Sequence, residues 1–124
     1  MGKKILVVDD EMDAVTYFST VLKDNGYDTI TAVDGLEALK KMRSDKPDLV
    51  TLDITMPEKS GVGAYREMKN DPDLKKIPVV IVTGVTHDFK KFISTRHQVP
   101  PPEGYLEKPV KPEDLVAEVK KHIG

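Results

Sequence analysis

Four short apolar runs each lead into a polar residue, two into aspartates, one into a threonine and one into a lysine. Ile5 to Val8 runs into Asp9-Asp10, Leu49 to Leu52 into Asp53, Val79 to Val82 into Thr83, and Tyr105-Leu106 into Lys108-Pro109. Helical patterns fall between them. Val15, Phe18 and Leu22 recur at helical spacing, and Asn25-Gly26 supplies a stop. Tyr27 to Ala32 alternates more loosely, as a strand nearer a sheet edge would. Asp34-Gly35 opens a second helix carrying Leu36, Leu39 and Met42, which ends before Lys46-Pro47. Asp48 to Asp53 reads as the third strand, and Pro78 to Thr83 as the fourth. Val62, Tyr65 and Met68 mark a third helix, broken at Asn70-Asp71-Pro72. Phe89, Phe92 and Ile93 predict a fourth. Leu115, Val116, Val119 and Ile123 predict a fifth, with Pro112 in its first turn. This alternation predicts an α/β fold in which a parallel sheet is wrapped by helices. Strands covered on both faces read as continuous apolar runs, as these do. Parallel strands bring their carboxyl ends to one edge, where open α/β sheets bind ligands. Three carboxylates, a hydroxyl and an ammonium are therefore expected together.

The length limits what else can be present. A chain of 124 residues supports one buried core, so residues 1–124 are expected to form a single domain. With 19 basic and 21 acidic residues, it has no excess of positive charge to suggest nucleic-acid binding. Cysteine is absent, which excludes disulfides and thiolate metal sites. Met1 to Lys4 leads straight into the first apolar run, so no signal peptide is expected. No stretch approaches the roughly 20 apolar residues of a membrane span. A soluble cytoplasmic domain with no membrane partner is expected.

Charge decides the chemistry of the sheet edge. Two carboxylates about 4 Å apart repel by roughly 4 kcal/mol at an effective dielectric near 20. Asp9 and Asp10 beside Asp53 thus call for a compensating cation, and hard oxygen ligands suit Mg²⁺. Asp53 leaves its strand into Ile54-Thr55-Met56-Pro57, so its side chain should stand at the edge, able to attack phosphorus. Lys108 offers a point charge and Thr83 a hydroxyl where transferred phosphoryl oxygens would lie. These groups describe phosphoryl transfer to an aspartate.

The sequence then carries V-V-D-D-E at 7–11, L-D-I-T-M-P at 52–57 followed by Gly61, V-T-G at 82–84 and Y-L-E-K-P at 105–109. In this order, and across essentially the whole chain, the set resembles the receiver domain of two-component response regulators. That resemblance implies a flavodoxin-like, doubly wound (βα)5 sheet with strand order 2-1-3-4-5. It implies that Asp9, Asp10 and Asp53, with the backbone carbonyl of Thr55, hold Mg²⁺, and that Asp53 accepts the phosphoryl group. Thr83 and Lys108 would bind its oxygens, and Thr83 with Tyr105 would tilt a two-state switch. The Lys108-Pro109 peptide is expected to be cis. The implied partners are a histidine kinase or histidine phosphotransfer protein as donor. A downstream protein would be met by the face around the fourth helix, fifth strand and fifth helix. Catalysis would be self-directed, ending in removal of the phosphoryl group by water, and the protein would not be an enzyme in the ordinary sense. A stand-alone receiver without an output domain is expected; the alternative is the receiver part of a longer hybrid kinase or DNA-binding regulator.

Plainer readings stand beside these. Alone, Asp9-Asp10 would cap a helix, Thr83 would be a β-branched strand residue, Lys108 a surface lysine, and Tyr105 core packing. Their matching positions at strand ends favour the site. His87, His97 and His122 fall outside the motifs and are expected at the surface. A haloacid-dehalogenase-like phosphatase fails on spacing, since its nucleophile and acid lie two apart after the first strand. Two departures from the receiver pattern stand out. Gly84 replaces a small side chain, which should loosen access beside the phosphate. Arg96 to Gly104 is long and contains Pro100-Pro101-Pro102, predicting a stiff extended segment: a rigid loop or a docking surface.

Overall fold

Along the first strand, β1 (Lys4–Val8), successive side chains enter different layers. Ile5 and Val7 pack with Phe18, Leu22, Leu115 and Val119 on one face. Leu6 and Val8 pack with Ala38, Met42, Tyr65 and Met68 on the other. The unbroken apolar run is thus an alternating strand with a core on both faces. The structure is a computed structural model describing residues 3–54, 60–84 and 102–123, the side chains of Ser60 and Thr83 excepted.

After β1 come α1 (Met12–Asp24), β2 (Asp28–Ala32), α2 (Gly35–Asp45), β3 (Leu49–Asp53), α3 (Ser60–Asn70), β4 (Val79–Thr83), β5 (Gly104–Glu107) and a C-terminal helix (Pro112–Ile123). The five strands form one parallel sheet in the order β2-β1-β3-β4-β5. α1 and the C-terminal helix cover one face, and α2 and α3 the other. The expected doubly wound architecture is present. The helix predicted around Phe89 to Ile93 and the Pro100-Pro101 part of the proline segment lie outside the described residues. So do Thr55, His87 and His97.

Local chemistry sets the element ends. α1 stops in a turn where Gly26 adopts φ +90°, with its N–H donating to Lys23 O and the Tyr27 N–H donating to Leu22 O. Glycine is suited to that left-handed position. α2 begins at Asp34, whose Oδ1 accepts from the Glu37 N–H at 2.8 Å, while Glu37 Oε1 accepts from the Val33 N–H at 2.8 Å. Two end donors are thereby satisfied reciprocally. The third and fourth strands begin one residue later than predicted; the Asp48 carboxylate accepts from the Lys4 N–H. No helix among the described residues is long and apolar enough to cross a membrane.

Candidate functional site

Strand register places the polar ends side by side. Val8 lies opposite Leu52, so Asp9 follows beside Asp53; Asp53 lies opposite Val82, and Thr83 opposite Glu107. Lys108 is the next residue. The Asp9 backbone is held by its N–H bond to Ala32 O of β2 at 3.1 Å.

Asp9 and Asp53 are buried, whereas Asp10 is exposed. Ligand oxygens of all three lie within 4.8 Å of one another. Lys108 Nζ donates to Asp9 Oδ2 at 2.8 Å and to Asp53 Oδ2 at 3.1 Å. Asp9 Oδ1 accepts from the Glu11 N–H at 3.0 Å. Burial raises the Asp9 carboxyl above its ordinary pKa. The Lys108 and Glu11 hydrogen bonds oppose that shift, and the Asp53 charge adds to it. Burial alone would lower the Lys108 ammonium; its hydrogen bond to Asp9 and the charge of Asp53 outweigh that and raise it. The lysine therefore stays protonated among carboxylates that remain under-compensated. Three hard oxygen ligands against one ammonium form a donor set that fits a small dication.

The other predicted residues fall around this centre. Thr83 ends β4 at the same edge. Tyr105, on β5 opposite Ile81, is partly buried and packs against the α2–α3 layer. The Lys108-Pro109 peptide is cis. Gly84 stands beside the lysine stem, because a Cβ there would lie 3.9 Å from Lys108 Cδ. His122, expected at the surface, is partly buried and pairs with Glu118 at 2.9 Å. Glu11 was not predicted as a site residue, yet its Oε1 lies 3.8 Å from Lys108 Nζ. A third acid directly after Asp9-Asp10 was the available signal.

Residues 5–120 match the family described as the response regulator receiver domain. The chain is 38% identical over 120 residues to the alkaline phosphatase synthesis transcriptional regulatory protein PhoP of Bacillus subtilis (strain 168), covering 97% of this chain and 48% of that protein. It thus spans about half the length of that relative. It is 32% identical over 124 residues to the polar-differentiation response regulator DivK of Brucella anthropi, covering 100% of this chain and 98% of that one. Among solved structures, the chemotaxis response regulator CheY4 of Vibrio cholerae is 28% identical with a TM-score of 0.85, covering 99% of this chain and 100% of that one. The family match, the parallel sheet order and the acidic strand ends agree: the chain belongs to the response regulator receiver domain family.

Proposed function

We propose that this receiver accepts a phosphoryl group on Asp53 from a phosphohistidine of a histidine kinase or phosphotransfer protein. The observation that carries this reading is Lys108 Nζ set 3.1 Å from Asp53 Oδ2 and 2.8 Å from Asp9 Oδ2 at the carboxyl edge of the sheet. A carboxylate oxygen of Asp53 attacks phosphorus, the phosphorus–nitrogen bond of the donor breaks, and the imidazole leaves with a proton. The product is an acyl phosphate on Asp53. Lys108, its ammonium favoured by Asp9 and Asp53, turns from Asp53 to the phosphoryl oxygens, and the Thr83 hydroxyl offers a second contact. Asp9, Asp10 and Asp53, with the Thr55 carbonyl, are the residues that would hold Mg²⁺. When bound, the ion supplies neutralising charge to the transferring group.

The phosphorylated centre then acts as a switch. Thr83 and Tyr105 shift between two arrangements, and the face around β5 and the C-terminal helix presents the result to a protein partner. Turnover is confined to the protein's own aspartyl phosphate, which water removes, so this is a signalling protein of the cytoplasm and no ordinary enzyme.

Intact mass after incubation with acetyl phosphate tests the chemistry. One phosphoryl adduct is expected with Mg²⁺, none without it, and none on Asp53→Ala. Absence of an adduct under every condition would sink the proposal.

A further inference from the structure

Lys108 has one carboxylate neighbour more than phosphoryl transfer requires. Its Nζ lies 2.8 Å from Asp9, 3.1 Å from Asp53 and 3.8 Å from Glu11. Asp9 and Asp53 belong with Asp10 to the oxygen cluster suited to a dication; Glu11 does not. The Glu11 side chain is 71% exposed, against 1% for Asp9 and 2% for Asp53.

The Glu11 backbone is nonetheless fixed. Its N–H donates to Asp9 Oδ1, and its carbonyl accepts from the Val15 N–H at 3.1 Å as α1 begins. As the residue capping α1, it could turn its carboxylate onto the first free amides of the helix. It makes no such bond, and the carboxylate leans across the mouth of the site towards Lys108. On that side a cavity of about 550 Å³ opens, with Glu11, Asp13 and Lys108 at its polar rim and Phe18 and Val110 among its apolar walls. Two negative side chains thus stand on the Lys108 side of the site.

Resting on the phosphoacceptor reading above, we propose that Glu11 is a donor-specificity residue. Its carboxylate competes with incoming phosphoryl oxygens for Lys108, and it disfavours free dianionic acyl phosphates more than donors of lower negative charge, such as phosphoramidates. With Asp9 and Asp53 engaged by a dication, Glu11 is the remaining carboxylate within 4.0 Å of the lysine among the described residues. It is therefore the group the phosphoryl oxygens must displace. Because Glu11 stands in solvent, the effect is a modest one that salt screens.

The test measures rates of adduct formation with acetyl phosphate and with phosphoramidate, at saturating Mg²⁺, in low and high salt. Glu11→Gln keeps both backbone bonds and removes only the charge. At low salt it should speed acetyl phosphate about fivefold and phosphoramidate by about twofold or less, with the gap closing in high salt. Glu11→Lys should widen the gap further. Mg²⁺ affinity of Glu11→Gln, read by calorimetry, should stay within about twofold of wild type, since the carboxylate acts on Lys108. Equal changes for both donors, unchanged rates in a protein that does become phosphorylated, or a large loss of Mg²⁺ affinity would each overturn the proposal. A wild-type protein that takes a phosphoryl group from neither donor would instead overturn the underlying reading, and this one with it.

Discussion

A Cβ on Gly61 would lie 2.2 Å from the carbonyl oxygen of Asp53 and 3.0 Å from Ile54 Cα. The obstacle is backbone, which cannot swing aside as a side chain would. α3 thus rests directly on the peptide that carries the central carboxylate. Gly61→Ala should cost about 3 kcal/mol in urea unfolding and lower the rate of adduct formation on Asp53, because relief requires moving either the helix or that peptide. Unchanged stability would show that the close approach is dispensable. Single residues also show where sequence reading reaches its limit. Asp9, Asp53 and Lys108 were legible because each ends an apolar run, and parallel strands bring such ends together whatever the loops do. The Glu11 contact was not, because it depends on whether a capping side chain turns onto its helix or away from it. Thr83 was placed by the same strand logic as Lys108, at the end of β4.

Among the elements, α3 hides a charge that its pattern concealed. Lys69, one turn after Tyr65, has a side chain only 2% exposed. Its Nζ lies 3.4 Å from both Glu103 carboxylate oxygens and 5.7 Å from the Tyr65 ring centre. Glu103 Oε1 also accepts from the Val79 N–H at 2.7 Å, so this pair ties α3 to the start of β4 and to the entry of β5. Removing Glu103 leaves the buried ammonium with the Lys75 carbonyl at 3.4 Å and no counter-charge, and takes the acceptor from the Val79 amide. Removing Lys69 leaves a half-solvated carboxylate that keeps one donor. Glu103→Ala should therefore cost about 3 kcal/mol and Lys69→Met about 1 kcal/mol, the double variant costing less than their sum. Denaturant midpoints decide it; equal costs would show that the pair is not the tether. Helices were readable because each buries a stripe at helical spacing, and the central strands because burial on both faces makes them short continuous apolar runs. The ion pair was not, because the charged partner of this lysine on an apolar stripe lies 34 residues away.

Across the whole molecule, the acidic centre is an unbalanced charge at the carboxyl edge of a sheet whose central strands are mostly apolar. Any dication that binds it in the folded state stabilises the fold, by about 2.7 kcal/mol at one hundred times its dissociation constant. Mg²⁺ should thus raise the melting temperature of the wild type, and Asp9→Asn should abolish most of that gain. The sign with pH follows from the Asp9 carboxyl, whose folded pKa is raised above its ordinary value of 3.8. Without the cation, the charged group opposes folding at neutral pH, and that penalty is relieved as pH falls through the raised value towards 3.8. With it, the cation's contribution shrinks over the same acid window. A Mg²⁺ gain that persisted through that window would place the ion elsewhere. A parallel sheet wrapped by helices was readable from alternation alone, whereas its strand order came from the resemblance to receiver domains, and the proline segment carried no period to read. The Lys108–Asp9 bond spans 99 positions of sequence, joining the end of the first strand to the turn after the last. A chain emerging from the ribosome therefore carries its acidic residues without the lysine that pairs with them until about a hundred residues more have been made. The centre is thus a contact of high sequence separation, and a fragment that stops before β5 has no means of closing it.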